Sequence, residues 1–146
     1  MERLSWCKKR IKLTQPNKNL SEEYLRKAQR SLDATISLKN NHEWQITAAY
    51  YTMYFSIYSL LIRAGIKSEI HQCTIAIAEL FALTKKEIEL IEQAQKARID
   101  LQYYVDRTHN QTNTMLQQAP HILLRCEELH NTLTQEDIRT IREQLR

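Results

Sequence analysis

In 146 residues the chain has one glycine (Gly65) and two prolines (Pro16 and Pro120), too few turn formers for a β-rich protein of this length, so an all-α domain is expected. Its formal net charge of +4 is uneven: residues 1–20 carry a net +5 from Arg3, Lys8, Lys9, Arg10, Lys12 and Lys18 against Glu2, and the rest is near neutral. Cys7, Cys73 and Cys126 are odd in number and far apart, and no apolar run follows the N-terminal charges. This argues against a secretory signal and predicts reduced thiols in the cytoplasm.

Residues 1–18 are read as a basic arm without helical periodicity, closed by Pro16-Asn17, and residues 19–146 as the folded domain. Lys8, Lys9, Arg10 and Lys12 in that arm are candidate nucleic-acid contacts, since clustered cations suit phosphates; a solvated basic tail is the commoner explanation of such a run. The first long helix is expected from Asn19 or Ser21, with Tyr24, Leu25, Ala28, Leu32 and Ile36 as its apolar stripe, to Asn40-Asn41. The second, from His42 to Ala64 with Gly65 as its stop, is apolar almost all round and so central. Tyrosine hydroxyls, Gln45, Thr47 and Ser56 within it argue against a membrane span.

A third helix is expected over 68–82, with Ile70, Cys73, Ile77, Leu80 and Phe81 inward. Thr84 and Glu87 have capping-box spacing and open a fourth that runs to Arg107. A polar break at 109–113 precedes a fifth helix over 114–131, kinked or started by Pro120. Thr134 and Asp137 cap a short last helix. Short connections between such helices predict an antiparallel up-and-down bundle of four to five main helices plus a short C-terminal one.

Arg98 stands out. It lies in register with Ile91, Ala94, Leu101 and Val105, on the apolar stripe of the fourth helix. A guanidinium stays charged, and burying it unpaired is costly, so a carboxylate, a second subunit or an anionic ligand must answer it. Asp100 is two residues on and points away from Arg98 on the same helix, which suits it to a second subunit. The chain contains no glycine-rich phosphate loop, no Cys-x-x-Cys and no His-Glu-x-x-His. Cys126 and His130 share a helix face, but two ligands make no zinc site, and they are read as a buried cysteine beside a surface histidine. No metal or other cofactor is therefore expected.

The run Ala48-Ala49-Tyr50-Tyr51-Thr52-Met53-Tyr54-Phe55, followed by Leu60-Leu61, Gly65, His71, then Arg98 and Gln102-Tyr103, resembles the HEPN domain family over roughly residues 20–130. The resemblance implies a helical bundle that dimerises through its central tyrosines and arginine helix. It also implies partnership with a minimal nucleotidyltransferase, or a role in toxin–antitoxin or defence systems, with nucleotide or RNA as ligand. It makes Arg98, Asp100, Gln102, Tyr103, Tyr104, Tyr51 and His71 the candidate ligand or dimer cleft. Catalytic HEPN ribonucleases carry a histidine about one helical turn after the arginine; here the positions hold Tyr103, Tyr104 and Val105. Histidine titrates near ~6.5 and tyrosine near ~10, so proton exchange at neutral pH loses its natural agent. Arg98, Tyr103 and Tyr104 remain the catalytic candidates, and Tyr103 and Tyr104 also the nucleotidylation candidates by position. The reading that follows is a non-catalytic dimeric binding module. A metal-independent ribonuclease using a tyrosine, or His71 or His109, and a purely structural bundle stay open as alternatives.

Overall fold

The computed structural model describes residues 2–103 and 109–146, with side chains described over 3–101 and 113–146. Among the described residues it is an all-α helical bundle, with one two-stranded ribbon as its only sheet. The elements are α1 (Glu2–Lys8), β1 (Ile11–Leu13), α2 (Lys18–Ser37), α3 (His42–Arg63), β2 (Ile66–Ser68), α4 (His71–Ala78), α5 (Lys85–Tyr103), α6 (His109–Thr132) and α7 (Gln135–Gln144). A single 3₁₀ turn, Glu79–Phe81, extends α4. None of these helices is long and apolar enough to cross a membrane.

As expected, α3 is the axis of the molecule. It packs against α2, α4, α5 and α6, and Ile46, Tyr50, Met53, Ile57, Leu60 and Leu61 are fully buried along it. Its neighbour α2 begins earlier than Asn19 because the Asn17 side chain caps it, accepting from the Leu20 N–H at 2.9 Å. Ser21, Ala28 and Thr35 are the buried positions of α2, a line of small residues at one-heptad spacing that lets it lie close to α3. Ile36, expected inward, is 73% exposed because it sits off that line.

Both capping boxes form. The Glu87 N–H donates to Thr84 Oγ1 (3.1 Å) and the Thr84 N–H to Glu87 (2.9 Å); Thr134 and Asp137 exchange the same pair. The buried line of α5 is Ile88, Ile91, Ala94 and Ala97, which places Arg98 on its half-buried shoulder rather than in the seam. The expected end of α5 at Arg107 lies outside the described residues. α6 corrects the polar break at 109–113: it is already helical from His109, and Pro120 sits inside it rather than at its start.

Residues 1–18 hold more order than periodicity suggests. Residues 2–8 are helical, and β1 pairs antiparallel with β2 in the register Ile11↔Ser68, Lys12↔Lys67, Leu13↔Ile66. The helix expected from Ser68 starts only at His71, because 66–68 are held extended by β1. Cys7 and Cys73 form a buried disulfide between α1 and α4, which corrects the expectation of three reduced thiols and removes the thiol argument for a cytoplasmic location. Cys126 is the free, buried cysteine. His130, expected at the surface, is buried with its Nε2 2.7 Å from Ser21 Oγ.

Candidate functional site

The site is built on the middle of α3, where Tyr50, Tyr51, Tyr54 and Tyr58 recur at helical spacing and put three of their rings, those of Tyr50, Tyr54 and Tyr58, on one face. Tyr54 stacks on Tyr58 with centroids 5.9 Å apart, and Tyr24 from α2 meets Tyr58 edge-on at 4.8 Å. His71, the first residue of α4, closes the other side. Its ring stacks on Tyr54 at 4.0 Å and lies edge-on to Tyr51 at 6.1 Å. Its Nδ1 is 2.7 Å from the Tyr50 hydroxyl.

Arg98 enters from α5. Its guanidinium carbon sits 4.9 Å from the centre of the Tyr50 ring and 5.7 Å from that of Tyr51. Among the described residues two tyrosine faces, and no carboxylate, therefore answer the charge. Among the described residues Arg98 has no ion-pair partner, and its Nε is buried without a hydrogen-bond acceptor. Asp100 is half-buried on the same helix and, as expected, makes no ion pair with Arg98.

The electrostatics follow from this packing. Burial pushes the Tyr50 hydroxyl well above the ordinary tyrosine range, against the opposing pull of Arg98. Burial raises Tyr54 to about 12, although its bond to Thr74 pulls the other way. His71 is lowered from the usual histidine value, first by burial and then by the Arg98 charge. Both tyrosines are thus neutral hydroxyls and His71 is a neutral imidazole at pH 7. The buried Tyr50 hydroxyl has His71 Nδ1 as its one described partner; with the O–H as the donor of that bond, the imidazole proton rests on Nε2. Arg98 and His71 Nε2 are then both donors, set around two neutral aromatic rings.

Of the sequence candidates, the structure brings Tyr51, His71 and Arg98 together. The backbones of Gln102 and Tyr103 continue α5, but their side chains, and Tyr104 entirely, lie outside the described residues. Lys8, Lys9, Arg10 and Lys12 lie elsewhere, on the end of α1, the turn that follows it and the β1–β2 ribbon. Sequence reasoning placed Tyr51 in the cleft and missed Tyr50 as the group that orients His71. The signal was there in the four-residue spacing of Tyr50, Tyr54 and Tyr58, but the pairing with His71 needs the β2 turn to be known. Next to the site, an open apolar groove between α2 and α3 runs from Trp44, 54% exposed, to Tyr51 and Phe55. Among the described residues no three of the histidines, cysteines and acids are clustered to hold a metal ion.

The family model described as the HEPN domain matches residues 21–137. No curated protein and no solved structure matches the chain.

Proposed function

We propose, since the chain belongs to the HEPN domain family, that it is a dimeric binding module that takes the phosphate of a nucleotide or RNA at Arg98, and that it binds rather than cleaves. One observation carries this reading: among the described residues the guanidinium is held by aromatic faces and no carboxylate, with a buried Nε lacking an acceptor. A buried N–H left unsatisfied costs about 1–3 kcal/mol, which an anion reaching the guanidinium from the cleft would recover. His71 supports binding in the same way: with the Tyr50 hydroxyl donating to its Nδ1, its Nε2 carries the proton and is a donor to the ligand.

The exposed groove ending at Tyr51 supports a second copy of the chain as the dimer partner, since it adjoins the arginine site. Within the family this reading extends to a minimal nucleotidyltransferase partner, a toxin–antitoxin or defence context and a cytoplasmic location. Metal-independent cleavage has one observation in its favour: His71 stands against the same two rings as Arg98 and could replace the histidine absent from α5.

The test is calorimetric titration of wild type and Arg98→Ala with a nucleoside triphosphate and a short oligouridylate. Sedimentation gives the oligomeric state of both proteins. Wild type is expected to bind as a dimer, and the variant about tenfold to a hundredfold more weakly with helicity unchanged, the loss of one or two charge-assisted hydrogen bonds. Equal binding by both proteins, or none by wild type, overturns the reading. RNA cleavage by wild type in EDTA at neutral pH, abolished in His71→Ala, replaces it with the catalytic one.

A further inference from the structure

The β1–β2 ribbon carries a feature that stability alone does not account for. Ile11, Leu13, Ile66 and Ser68 turn inward, so the alternate residues Lys12 and Lys67 are exposed directly opposite one another. Like charges facing each other across two strands are destabilising. Lys8, Lys9 and Arg10 lead into the same ribbon from α1. Glu69 is the one described acid at its end, 3.9 Å from Lys67 and largely exposed.

An aromatic platform adjoins these cations. The Trp6 ring is 45% exposed, and the Arg10 guanidinium lies over it, its carbon 3.8 Å from the ring centre. Arg10 is held there by donating to the Trp6 carbonyl at 2.8 Å, which leaves its other N–H groups for a ligand. The ribbon is also fixed relative to the arginine site. β2 runs into His71 within three residues, the Cys7–Cys73 bond ties α1 to α4, and Arg3 donates to the Gln72 carbonyl at 3.1 Å.

We infer that this face, Lys8, Lys9, Arg10, Lys12 and Lys67 with Trp6, is a docking surface for single-stranded RNA, whose strand continues past β2 toward His71 and Arg98. The inference rests on the reading of Arg98 as a phosphate site and extends it to a substrate class. Facing lysines suit a row of phosphates, and a tryptophan braced by arginine suits an unpaired base. An anionic membrane would use the cations too, but this face carries one exposed aromatic ring, covered on one side by a guanidinium, and no apolar wedge beside it.

The experiment is fluorescence anisotropy of a labelled oligouridylate against the full disulfide-bonded chain, from 50 to 300 mM KCl, a range in which phosphate contacts set the salt slope. Lys12→Gln/Lys67→Gln is expected to reduce that slope by roughly 1.4, the equivalent of two lost phosphate contacts. Trp6→Ala is expected to weaken binding about tenfold, the loss of one stacked base. All these positions are exposed, so circular dichroism should stay unchanged. An unchanged slope in the lysine pair, or binding to phosphatidylserine vesicles with none to RNA, overturns the inference. The two proposals separate cleanly. If Arg98→Ala loses RNA and the ribbon variants bind as wild type, the ribbon fails and the Arg98 site stands. If Arg98→Ala binds as wild type and the lysine pair loses its slope, the ribbon stands and the Arg98 reading fails.

Discussion

Two histidines are held neutral by what surrounds them. His71 is lowered by burial and by Arg98. His130 is lowered first by burial; the Asn131 side chain and Glu22 pull it up, while Arg63 and Lys18 push it further down. The Ser21 hydroxyl donates to the Lys18 carbonyl at 2.6 Å, so it accepts from His130 Nε2–H. Both folded-state values lie below the ordinary 6.5. Below that value the unfolded chain takes up protons that the folded chain refuses, so stability rises with pH there and levels off above it. Urea midpoints measured from pH 5 to 8 should be flat above about 6.5 and fall below it; a midpoint that rises on acidification contradicts the assignment. Tyr50→Phe tests the His71 tautomer directly. Imidazole ¹⁵N shifts should report Nε2–H alone in wild type and a tautomer mixture in the variant, at a cost of about 1 kcal/mol for the lost hydrogen bond. Period alone pointed to Arg98, because a charge on an apolar stripe is visible in one dimension. Its contact with Tyr50 and Tyr51 was not visible, because those two residues come from another helix.

The elements that were legible carry their own local chemistry. Thr84 with Glu87, Thr134 with Asp137, and Gly65 at the end of α3 are patterns within a few residues, and each forms as read. The β1–β2 ribbon was not legible, because three-residue strands pair across some fifty residues and neither has a pattern of its own. What holds the ribbon also explains why Gly65 is glycine. Its φ is +74°, and a Cβ there would run into the Thr14 carbonyl and come within 2.8 Å of the Pro16 nitrogen. The Thr14 N–H donates to the Gly65 carbonyl at 2.7 Å, and the Arg142 guanidinium from α7 donates to the carbonyls of Thr14, Ala64 and Gly65. Three chain segments thus meet where no side chain fits. Gly65→Ala should cost more than the ~1 kcal/mol of a left-handed residue alone, on the order of 2–4 kcal/mol, because the backbone of Thr14 and Pro16 must move as well as the Arg142 side chain. Chemical denaturation measures it. A change under 1 kcal/mol would mean that the ribbon slides to make room.

At the scale of the molecule, residues 2–13 are attached to a bundle that has its own core. The cluster around α3 holds the large buried side chains, while Cys7, Cys73 and Ala76 form a separate small cluster against Ile11 and Ile70. The disulfide lies within that small cluster and joins α1 to α4 across 66 residues of sequence. In the chain-entropy account a closed loop of that length stabilises the native state by about 4 kcal/mol, most of it through the unfolded ensemble. Reduction with a dithiol should therefore lower the urea midpoint clearly while leaving helicity without denaturant nearly unchanged, since α3 and its neighbours do not depend on the bond. Cys7→Ser/Cys73→Ser should match the reduced protein. Amide exchange should show where the loss falls: faster exchange in residues 2–13 and 66–73, with the centre of α3 as protected as before. Equal midpoints with and without reductant would mean that the thiols are not joined in the native protein. A uniform loss of protection would mean instead that residues 2–13 belong to the cooperative core and are not an attachment to it.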